Sequence, residues 1–238
     1  MSIIKIKENS LFIADAHYPH YGDDFFKILK MIKRGDIKTS QLFLMGDIFD
    51  LLFGYNEYIK SFSQEAIELL QELSKTIEMY YIEGNHDFCL EEVFPNIKVY
   101  TREVQPIQFR LDNQIVYLSH GDLYEMGFGY NLYSKLLRNR VFLTILRPFE
   151  KQIINFQISR LKTKNICHKF KRFEKRATKI SKYYPKETLI IEGHFHQAKI
   201  FKNYISLPSL ACQKQIGVIL NQKLIFKDYN IITTSSHD

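Results

Sequence analysis

The sequence predicts an α/β fold, mainly because apolar runs typical of strands and helices alternate along its first hundred residues. Three short apolar runs, at 11–14, 42–45 and 79–82, are bounded by turn residues and are therefore typical of buried strands. Two stretches with apolar residues at helical spacing, at 25–32 and 62–73, separate these strands. This alternation favours parallel strands that are covered by helices.

The second half of the chain predicts further strands on either side of a long helical segment. Apolar runs at 107–111 and 115–118 flank Asp112-Asn113 and predict a β-hairpin. From Gly129 to about Tyr184 there is no strand signal, and the apolar spacing there predicts helices. We expect these helices at 133–146, with a break at Pro148, at 153–161 and at 170–184. Short strands are expected at 189–191, 199–206, 216–220 and 223–227.

Length and composition indicate one globular unit. The chain has 238 residues, of which 45% are hydrophobic and 25% charged, and these values exclude a disordered or fibrous protein. We expect a single domain over residues 1–238, with a helical basic lid inserted at 124–186. The N-terminus has no long apolar run and no stretch of about 18 apolar residues occurs, so we expect neither a signal peptide nor a membrane span.

The cysteines bear on the cellular compartment. Cys89, Cys167 and Cys212 are odd in number and show no C-x-x-C spacing. This pattern argues against a secreted disulfide framework and favours a reducing compartment. We therefore expect a cytoplasmic protein.

The positive charge is concentrated in one segment. The formal net charge is +7, yet residues 131–187 alone contain 16 Lys/Arg and 3 Asp/Glu, so the rest of the chain is net negative. Such asymmetry favours a phosphate-bearing partner or a membrane surface. A solvated helical surface is the commoner explanation of a charge run, and it stays open here.

Side chains that can bind metal ions follow five of the predicted strands. In chain order the segments are Asp15-x-His17, Gly46-Asp47-x-x-Asp50, Gly84-Asn85-His86-Asp87, His120 and Gly193-His194-x-His196. Because ligands bind at the carboxyl ends of strands in open α/β sheets, we expect all five segments at one edge. The three remaining histidines, His20, His168 and His237, are interpreted as ordinary surface or core residues.

The donor types in these segments predict two divalent metal ions. Imidazole, carboxylate and amide donors without thiolate suit manganese, iron or zinc. Seven candidate ligands exceed the needs of one ion: Asp15, His17, Asp47, Asn85, His120, His194 and His196. Two ions that share a bridging aspartate are a common device for phosphoryl transfer, because they neutralise phosphate oxygens and lower the pKa of a water. Each segment alone is also explained by a turn, a cap or a buried pair, so the prediction rests on their joint occurrence.

Together, the five segments resemble the motifs of the calcineurin-like metallophosphoesterase superfamily, from about residue 11 to residue 220 apart from the middle insertion. The resemblance implies a four-layer α-β-β-α sandwich. It implies one metal ion held by Asp15, His17, Asp47 and His196, and a second held by Asp47, Asn85, His120 and His194. It also implies that His86 contacts the phosphate and protonates the leaving group or stabilises its charge, oriented by Asp87. Asp50 and Asp122 would lie behind the ligands.

Within this superfamily the chain is similar to the UDP-2,3-diacylglucosamine pyrophosphohydrolases of lipid A biosynthesis. The 73 residues between His120 and His194 begin with Gly121-Asp122 and continue through Gly129-Tyr130-Asn131, much like the lid of that family. The resemblance implies hydrolysis of a lipid-linked nucleotide sugar to UMP and 2,3-diacylglucosamine 1-phosphate, with Mn²⁺ as the metal and Tyr130 binding the substrate. It also implies peripheral contact with the anionic inner-membrane surface.

The physical properties of the insertion agree with such a substrate without singling it out. Its Leu, Ile and Phe residues could shelter acyl chains, and its basic residues could meet pyrophosphate or anionic lipid. A lid that simply packs on the body of the protein is the alternative.

Two other functions stay open at this point. One is a phosphoesterase for another nucleotide, phosphoester or phosphoprotein, because His86 suits general phosphoester hydrolysis. The other is nucleic-acid binding or cleavage through the basic insertion. The aromatic residues there, Phe170, Phe173, Tyr183 and Tyr184, are spaced like core anchors and not like a stacking platform, which argues against nucleic acid.

Overall fold

The computed structural model describes residues 3–124, 127–168 and 170–231; positions 125, 126 and 169 of the predicted lid lie outside these ranges. The strands are β1 (Ile4–Lys5), β2 (Leu11–Ile13), β3 (Gln41–Leu44), β4 (Leu52–Phe53), β5 (Glu78–Ile82), β6 (Asp87–Phe88), β7 (Lys98–Tyr100), β8 (Ile107–Leu111), β9 (Gln114–Ser119), β10 (Leu189–Glu192), β11 (Lys199–Phe201), β12 (Tyr204–Ser206), β13 (Gln215–Leu220) and β14 (Lys223–Asp228). The helices are α1 (Asp24–Arg34), α2 (Glu57–Ser61), α3 (Gln64–Leu73), α4 (Phe128–Leu137), α5 (Arg140–Leu146), α6 (Glu150–Thr163), α7 (Phe173–Ile180) and α8 (Leu210–Gln213). The predicted α/β class is confirmed.

The described strands form two large mixed sheets and one small one. The first sheet has the order β14-β13-β2-β3-β5-β7, and the second has the order β1-β8-β9-β10-β12-β11. In the first sheet β2, β3, β5 and β7 run parallel, whereas β13 is antiparallel to β2. In the second sheet β8 and β9 form the predicted hairpin, and β10 is parallel to β9. The short strands β4 and β6 pair with each other.

The end of α1 follows the sequence prediction. Phe25, Ile28 and Ile32 are buried on one side of this helix, as their spacing predicts. Gly35 ends the helix in the left-handed region at φ 81°, and its N–H donates to the carbonyl of Ile32. Glycine adopts this conformation without the steric cost that a Cβ brings, which explains the stop.

The sheets and helices form four layers, which are joined by apolar contacts. Between the two sheets, the rings of Phe12 and Phe43 stack with centroids 4.4 Å apart, and Phe109 of the second sheet meets Phe43 edge-on. Helices α1 and α3 cover the outer face of the first sheet. Helix α7 packs on the outer face of the second sheet, with Phe173 against Tyr204. The four-layer α-β-β-α sandwich is therefore confirmed.

The helical insertion has two parts with different partners. The single helix predicted over 133–146 is wrong, because α4 ends at Leu137 and α5 begins at Arg140. Asn139 starts α5, since its side-chain oxygen accepts a hydrogen bond from the Phe142 N–H at 3.0 Å. Helices α4–α6, which we call the overhanging lid, cover a cavity, whereas α7 packs on the second sheet.

Two cysteines are joined, contrary to the expectation from their number. A disulfide links Cys167, which follows α6, to Cys212 in α8, and Cys89 is a free thiol. The odd number of cysteines and the separation of 45 residues gave no indication of this disulfide, because only the fold brings the two segments together. In the described part of the chain, every helix is too short or too polar to cross a bilayer.

Candidate dinuclear metal centre

The site lies where the carboxyl ends of strands from both sheets meet. Asp15, Asp47 and Asn85 follow β2, β3 and β5 of the first sheet, whereas His120 and His194 follow β9 and β10 of the second. The expectation of one sheet edge is therefore wrong in detail, because two edges contribute. The backbone joins them, since the N–H of His194 donates to both carboxylate oxygens of Asp15, at 3.1 and 2.9 Å.

The backbone at this edge is held in an uncommon conformation. Asp15, His17, Asp47, His194 and His196 all have positive φ, between 47° and 58°. This left-handed region is unfavourable for residues with a side chain, and such strain clusters at functional sites. The tight turns aim the five side chains inward together.

Glycines next to these turns make the close approach possible. A Cβ on Gly46, whose φ is 84°, would overlap the imidazole of His120. A Cβ on Gly84 would overlap the side chain and the backbone of Asp47. Space at these two turns therefore requires glycine at both positions.

Asp15, His17 and His196 form the first group of candidate ligands. One donor atom from each lies within 4.8 Å of the other two. The His196 Nε2 is 3.1 Å from a carboxylate oxygen of Asp15, and the Nδ1–H donates to the carbonyl of Ile166 at 3.0 Å. That hydrogen bond leaves Nε2 as the atom that can bind a metal ion.

Asp47, His120 and His194 form the second group, again with one donor atom each within 4.8 Å of the others. The Nε2 of His120 is 3.5 Å from Asp47, 3.2 Å from the side-chain oxygen of Asn85 and 3.2 Å from the Nδ1 of His194. The His120 Nδ1–H donates to the carbonyl of Met45 at 3.0 Å, which again leaves Nε2 facing the group. All seven predicted ligands thus lie in or beside two adjacent clusters.

Burial and neighbouring charges set the protonation of these groups. Burial lowers the pKa of His17 to about 3, although the Asp47 carboxylate opposes this shift. Burial also lowers the pKa of His194 to about 4, and the charge of His120 adds to the effect. Burial alone would raise the pKa of Asp47, but His120 holds it well below its usual range. Neutral imidazoles and an ionised carboxylate are the forms that bind metal ions, so His17, His194 and Asp47 are already in that form, whereas His120 would have to lose its proton on binding an ion.

His86 is not oriented by Asp87, contrary to what the resemblance implies. The ring of His86 is oriented by Asp50, because its Nδ1–H donates to the Asp50 carbonyl at 2.7 Å. The Asp87 carboxylate is fully buried and accepts hydrogen bonds from the hydroxyl of Tyr81 and from four backbone N–H groups, those of Asp47, Ile48, Phe49 and Gly84. The expectation that Asp87 orients His86 is therefore wrong. Asp87 instead ties the turn after β3 to the turn after β5.

Asp50 lies behind His17, where it contacts two histidines. Its Oδ2 accepts from the backbone N–H and the ring Nδ1 of His20, both at 2.7 Å, and its Oδ1 is 3.8 Å from the His17 Nδ1. His20, interpreted as an ordinary histidine from the sequence, is thus connected to the site through Asp50. Only the D-x-H-x-x-H spacing could have suggested this.

Asp122 connects the site to the overhanging lid. Its Oδ2 accepts from the Arg102 guanidinium at 2.7 Å and from the Tyr130 hydroxyl at 3.3 Å. Arg102 also donates to the side chain of Asn131 at 2.9 Å. Burial, followed by the charge of Asp122, raises the pKa of Tyr130. Arg102 could not be predicted from the sequence, because no motif surrounds it.

Comparison with known proteins identifies the family. Residues 9–198 match the sequence profile described as Calcineurin-like phosphoesterase, which is most of the chain. The chain belongs to this family. It is therefore a metal-dependent hydrolase.

Similar proteins include enzymes named UDP-2,3-diacylglucosamine hydrolase. One from Coxiella burnetii is 25% identical over 210 residues, covering 81% of this chain and 82% of that protein. One from Blochmanniella pennsylvanica is 25% identical over 249 aligned positions, covering 92% and 96%. Among solved structures, a dimetal phosphatase from Danio rerio matches with 12% identity and a TM-score of 0.46, covering 92% of this chain and 95% of that one. A phosphoesterase from E. coli matches with 14% identity and a TM-score of 0.45, covering 93% and 100%.

The residues of this calcineurin-like phosphoesterase fit the divalent metal ions that the family uses. Both ring nitrogens of His17 are buried and have no hydrogen-bond partner. A buried polar atom without a partner costs free energy. A metal ion that accepts the lone pair of a His17 ring nitrogen would therefore stabilise the arrangement. The nitrogen and oxygen donors on the two groups suit manganese, iron or zinc.

A cavity of about 520 Å³ opens beside the candidate metal centre. Asn85, His86 and Tyr130 line one end of it. The apolar part of the wall comes mainly from the overhanging lid and includes Leu137, Leu143, Leu146, Ile153, Ile154 and Leu161. Its volume lies within the range of roughly 300–1,000 Å³ that is usual for ligand pockets.

Proposed function

We propose that the protein hydrolyses the pyrophosphate bond of UDP-2,3-diacylglucosamine and releases UMP and 2,3-diacylglucosamine 1-phosphate. The cavity carries the proposal, because it joins Asn85 and His86 to an apolar wall under the overhanging lid. A substrate with a charged pyrophosphate and two acyl chains needs both environments side by side. The names of the similar proteins from Coxiella burnetii and Blochmanniella pennsylvanica support the same substrate.

The proposed metal sites use the seven clustered donors. One ion would be held by Asp15, His17, Asp47 and His196, and the other by Asp47, Asn85, His120 and His194. Mn²⁺ is our first candidate, and iron and zinc suit the same donors. Bound ions would supply Lewis acidity, which neutralises phosphate charge and lowers the pKa of a water.

The protein itself contributes orientation and a proton at the leaving group. Since the His86 Nδ1–H donates to the Asp50 carbonyl, its Nε2 is the ring atom that can face a substrate. A protonated His86 would donate from Nε2 to the departing phosphate oxygen. We assign substrate binding to Tyr130 at the cavity wall, and we assign Asp87 the role of fixing the turns that carry Asp47 and Asn85.

Metal dependence is the first test. We expect chelated protein to lose activity on bis(p-nitrophenyl) phosphate and to regain it with Mn²⁺. Asp47→Asn should lower kcat at least a hundredfold and reduce bound metal, because Asp47 faces both proposed ions. Full activity of metal-free protein would contradict the assignment.

The substrate is tested by comparing UDP-2,3-diacylglucosamine with UDP-glucose in detergent. We expect the diacylated substrate to be strongly preferred, and Leu143→Gln to raise its KM because a polar group would enter the apolar wall. Ile200→Gln is the matched control, since Ile200 lies exposed on β11. Equal hydrolysis of both substrates would refute a lipid substrate and favour a general nucleotide phosphoesterase.

We further propose that the protein is attached peripherally to the inner membrane through the overhanging lid. Val141, Ile145 and Phe156 are 68%, 67% and 63% exposed there, among basic residues such as Arg140 and Lys151. Apolar anchors combined with positive charge favour anionic bilayers.

Vesicle sedimentation tests this attachment. Vesicles containing phosphatidylglycerol should retain the protein better than phosphatidylcholine vesicles. Val141→Ser with Ile145→Ser should release it, whereas Ile200→Ser should not. Equal sedimentation of all three proteins would argue against the lid as the anchor.

A further inference from the structure

Arg138 brings a positive charge from the overhanging lid to the turn that carries Asn85 and His86. It follows the last residue of α4, and its guanidinium donates to the carbonyl of Gly84 at 2.7 Å. The guanidinium lines the cavity together with Asn85 and His86. The lid thus reaches the proposed reaction centre with a cation.

Two of the other basic side chains that the structure describes at this cavity are paired with carboxylates, whereas Arg138 is not. Lys60 pairs with Glu57 at 2.6 Å, and Arg140 pairs with Glu92 at 3.7 Å. Among the described residues, no carboxylate oxygen lies within the 4.0 Å of an ion pair with Arg138. A half-buried guanidinium that forms no ion pair within 4.0 Å favours an anionic ligand.

The contacts of Arg138 fix the guanidinium without saturating it. Its Nη1 donates to the hydroxyl of Ser134, and its plane lies over the ring of Phe88 with 5.0 Å to the ring centroid. Its Nε is buried and has no hydrogen-bond partner. A guanidinium has five N–H donors, so a held arginine with donors in reserve is preorganised for a phosphate oxygen.

We propose that Arg138 is a phosphate-binding residue, which contacts a non-bridging oxygen of the phosphoryl group that lies beside Asn85 and His86. For a simple phosphodiester this inference rests on the family alone; for the pyrophosphate of a nucleotide sugar it rests on the proposed function. It makes the lid part of the anion site as well as an apolar cover. The position of the lid and the binding of the charged group are then coupled through one side chain.

The test uses Mn²⁺-loaded enzyme with bis(p-nitrophenyl) phosphate as substrate and inorganic phosphate as competitive inhibitor. Arg138→Gln should lower kcat/KM roughly 10- to 100-fold and raise the phosphate Ki by a similar factor, as expected for a lost charge-assisted hydrogen bond. Arg138→Lys keeps the charge but loses the fixed guanidinium geometry, so it should raise the Ki by a smaller but measurable factor, about two- to fivefold. Lys135→Gln, an equal loss of charge on the exposed side of α4, should stay within about twofold of wild type.

Bound metal and thermal stability separate binding from support of the turn. If Arg138 only supports the Gly84 carbonyl, its variants should lose metal because Asn85 moves. The phosphate Ki of the variant protein that is fully loaded with metal should then equal that of wild type. That result would overturn the inference. An unchanged Ki in folded Arg138→Lys would overturn it as well, even if Arg138→Gln fails to fold. Failure of wild type on UDP-2,3-diacylglucosamine, with the loss on bis(p-nitrophenyl) phosphate intact, would refute the proposed function alone.

Discussion

Replacing Asp87 with asparagine should destabilise the protein, because the Asp87 carboxylate accepts hydrogen bonds at both of its oxygens. Its Oδ1 accepts from the N–H groups of Asp47 and Gly84, at 3.0 and 2.9 Å. Its Oδ2 accepts from the N–H groups of Ile48 and Phe49, at 2.6 and 3.3 Å. An asparagine amide has one acceptor oxygen and one donor nitrogen, so in either orientation its NH₂ faces two backbone N–H groups.

The size of the effect follows from these two unpaired donors. A buried donor without a partner costs about 1–3 kcal/mol, so Asp87→Asn should lower the free energy of unfolding by about 2–6 kcal/mol. The turns that carry Asp47 and Asn85 should loosen as well, which should weaken metal binding. If Asp87 instead acted only by orienting His86, the substitution would change the pH profile of kcat and leave stability and metal affinity intact.

Urea unfolding and titration of the apoprotein with Mn²⁺ measure both effects. Asp36→Asn is the matched control, because Asp36 lies at the surface and pairs with Arg34 there. That change should alter the unfolding free energy by less than about 1 kcal/mol. An Asp87→Asn protein with wild-type stability and wild-type metal affinity would refute the reasoning from the buried carboxylate.

Three further variants test other parts of the structure. Loss of the disulfide by the double change Cys167→Ser and Cys212→Ser should cost about 4 kcal/mol for a 45-residue loop, and dithiothreitol should produce the same loss in wild type only. Burial raises the pKa of Glu83 to about 7. The native state therefore binds this proton more tightly than the unfolded state does, and the resulting contribution to the free energy of unfolding is fully present below the unfolded-state pKa and is lost as the pH rises through 7. Glu83→Gln should therefore be more stable than wild type at pH 8, by up to about 3 kcal/mol, and the difference should vanish near pH 4 in urea unfolding. Arg176→Met should lower the unfolding free energy by about 3–5 kcal/mol, because it strands the buried Glu192 carboxylate, which lies 2.7 Å from Arg176; equal stability in urea would contradict this.

The candidate ligands could be predicted because each follows an apolar run. Asp15, Asp47 and Asn85 come within three residues of the ends of buried strands, and a buried strand is recognisable from a few consecutive apolar residues. The four-layer arrangement came from the resemblance, because apolar runs do not say which strands share a sheet. That is why His120 and His194 were expected at the same edge as the others, although they belong to the second sheet.

The supporting residues could not be predicted, because their partners are distant in the sequence. Arg138 donates to Gly84 across 54 positions, and Arg102 donates to Asp122 across 20. The side-chain oxygen of Gln105 accepts from the N–H of His120 across 15 positions. None of these residues belongs to a local pattern, so only the tertiary structure shows what they contact. The small elements β4, β6, α2 and α8 were missed for a related reason, since two to five residues are too few to show a period.

The rigidity of the site comes largely from groups that bind no metal. Five candidate ligands have left-handed backbone, a conformation that costs energy at each position and persists only where the surroundings enforce it. The surroundings here are hydrogen bonds: Asp87 holds the turn of Asp47, and α8 holds the turn of Asp15, whose carbonyl accepts from the Ser209 hydroxyl at 2.8 Å. The cross-link at Cys212 lies in that same helix, so it connects the lid segment after α6 to the turn of Asp15. The turn of Asp15 and the segment that follows the lid are therefore joined through α8, a helix of four residues.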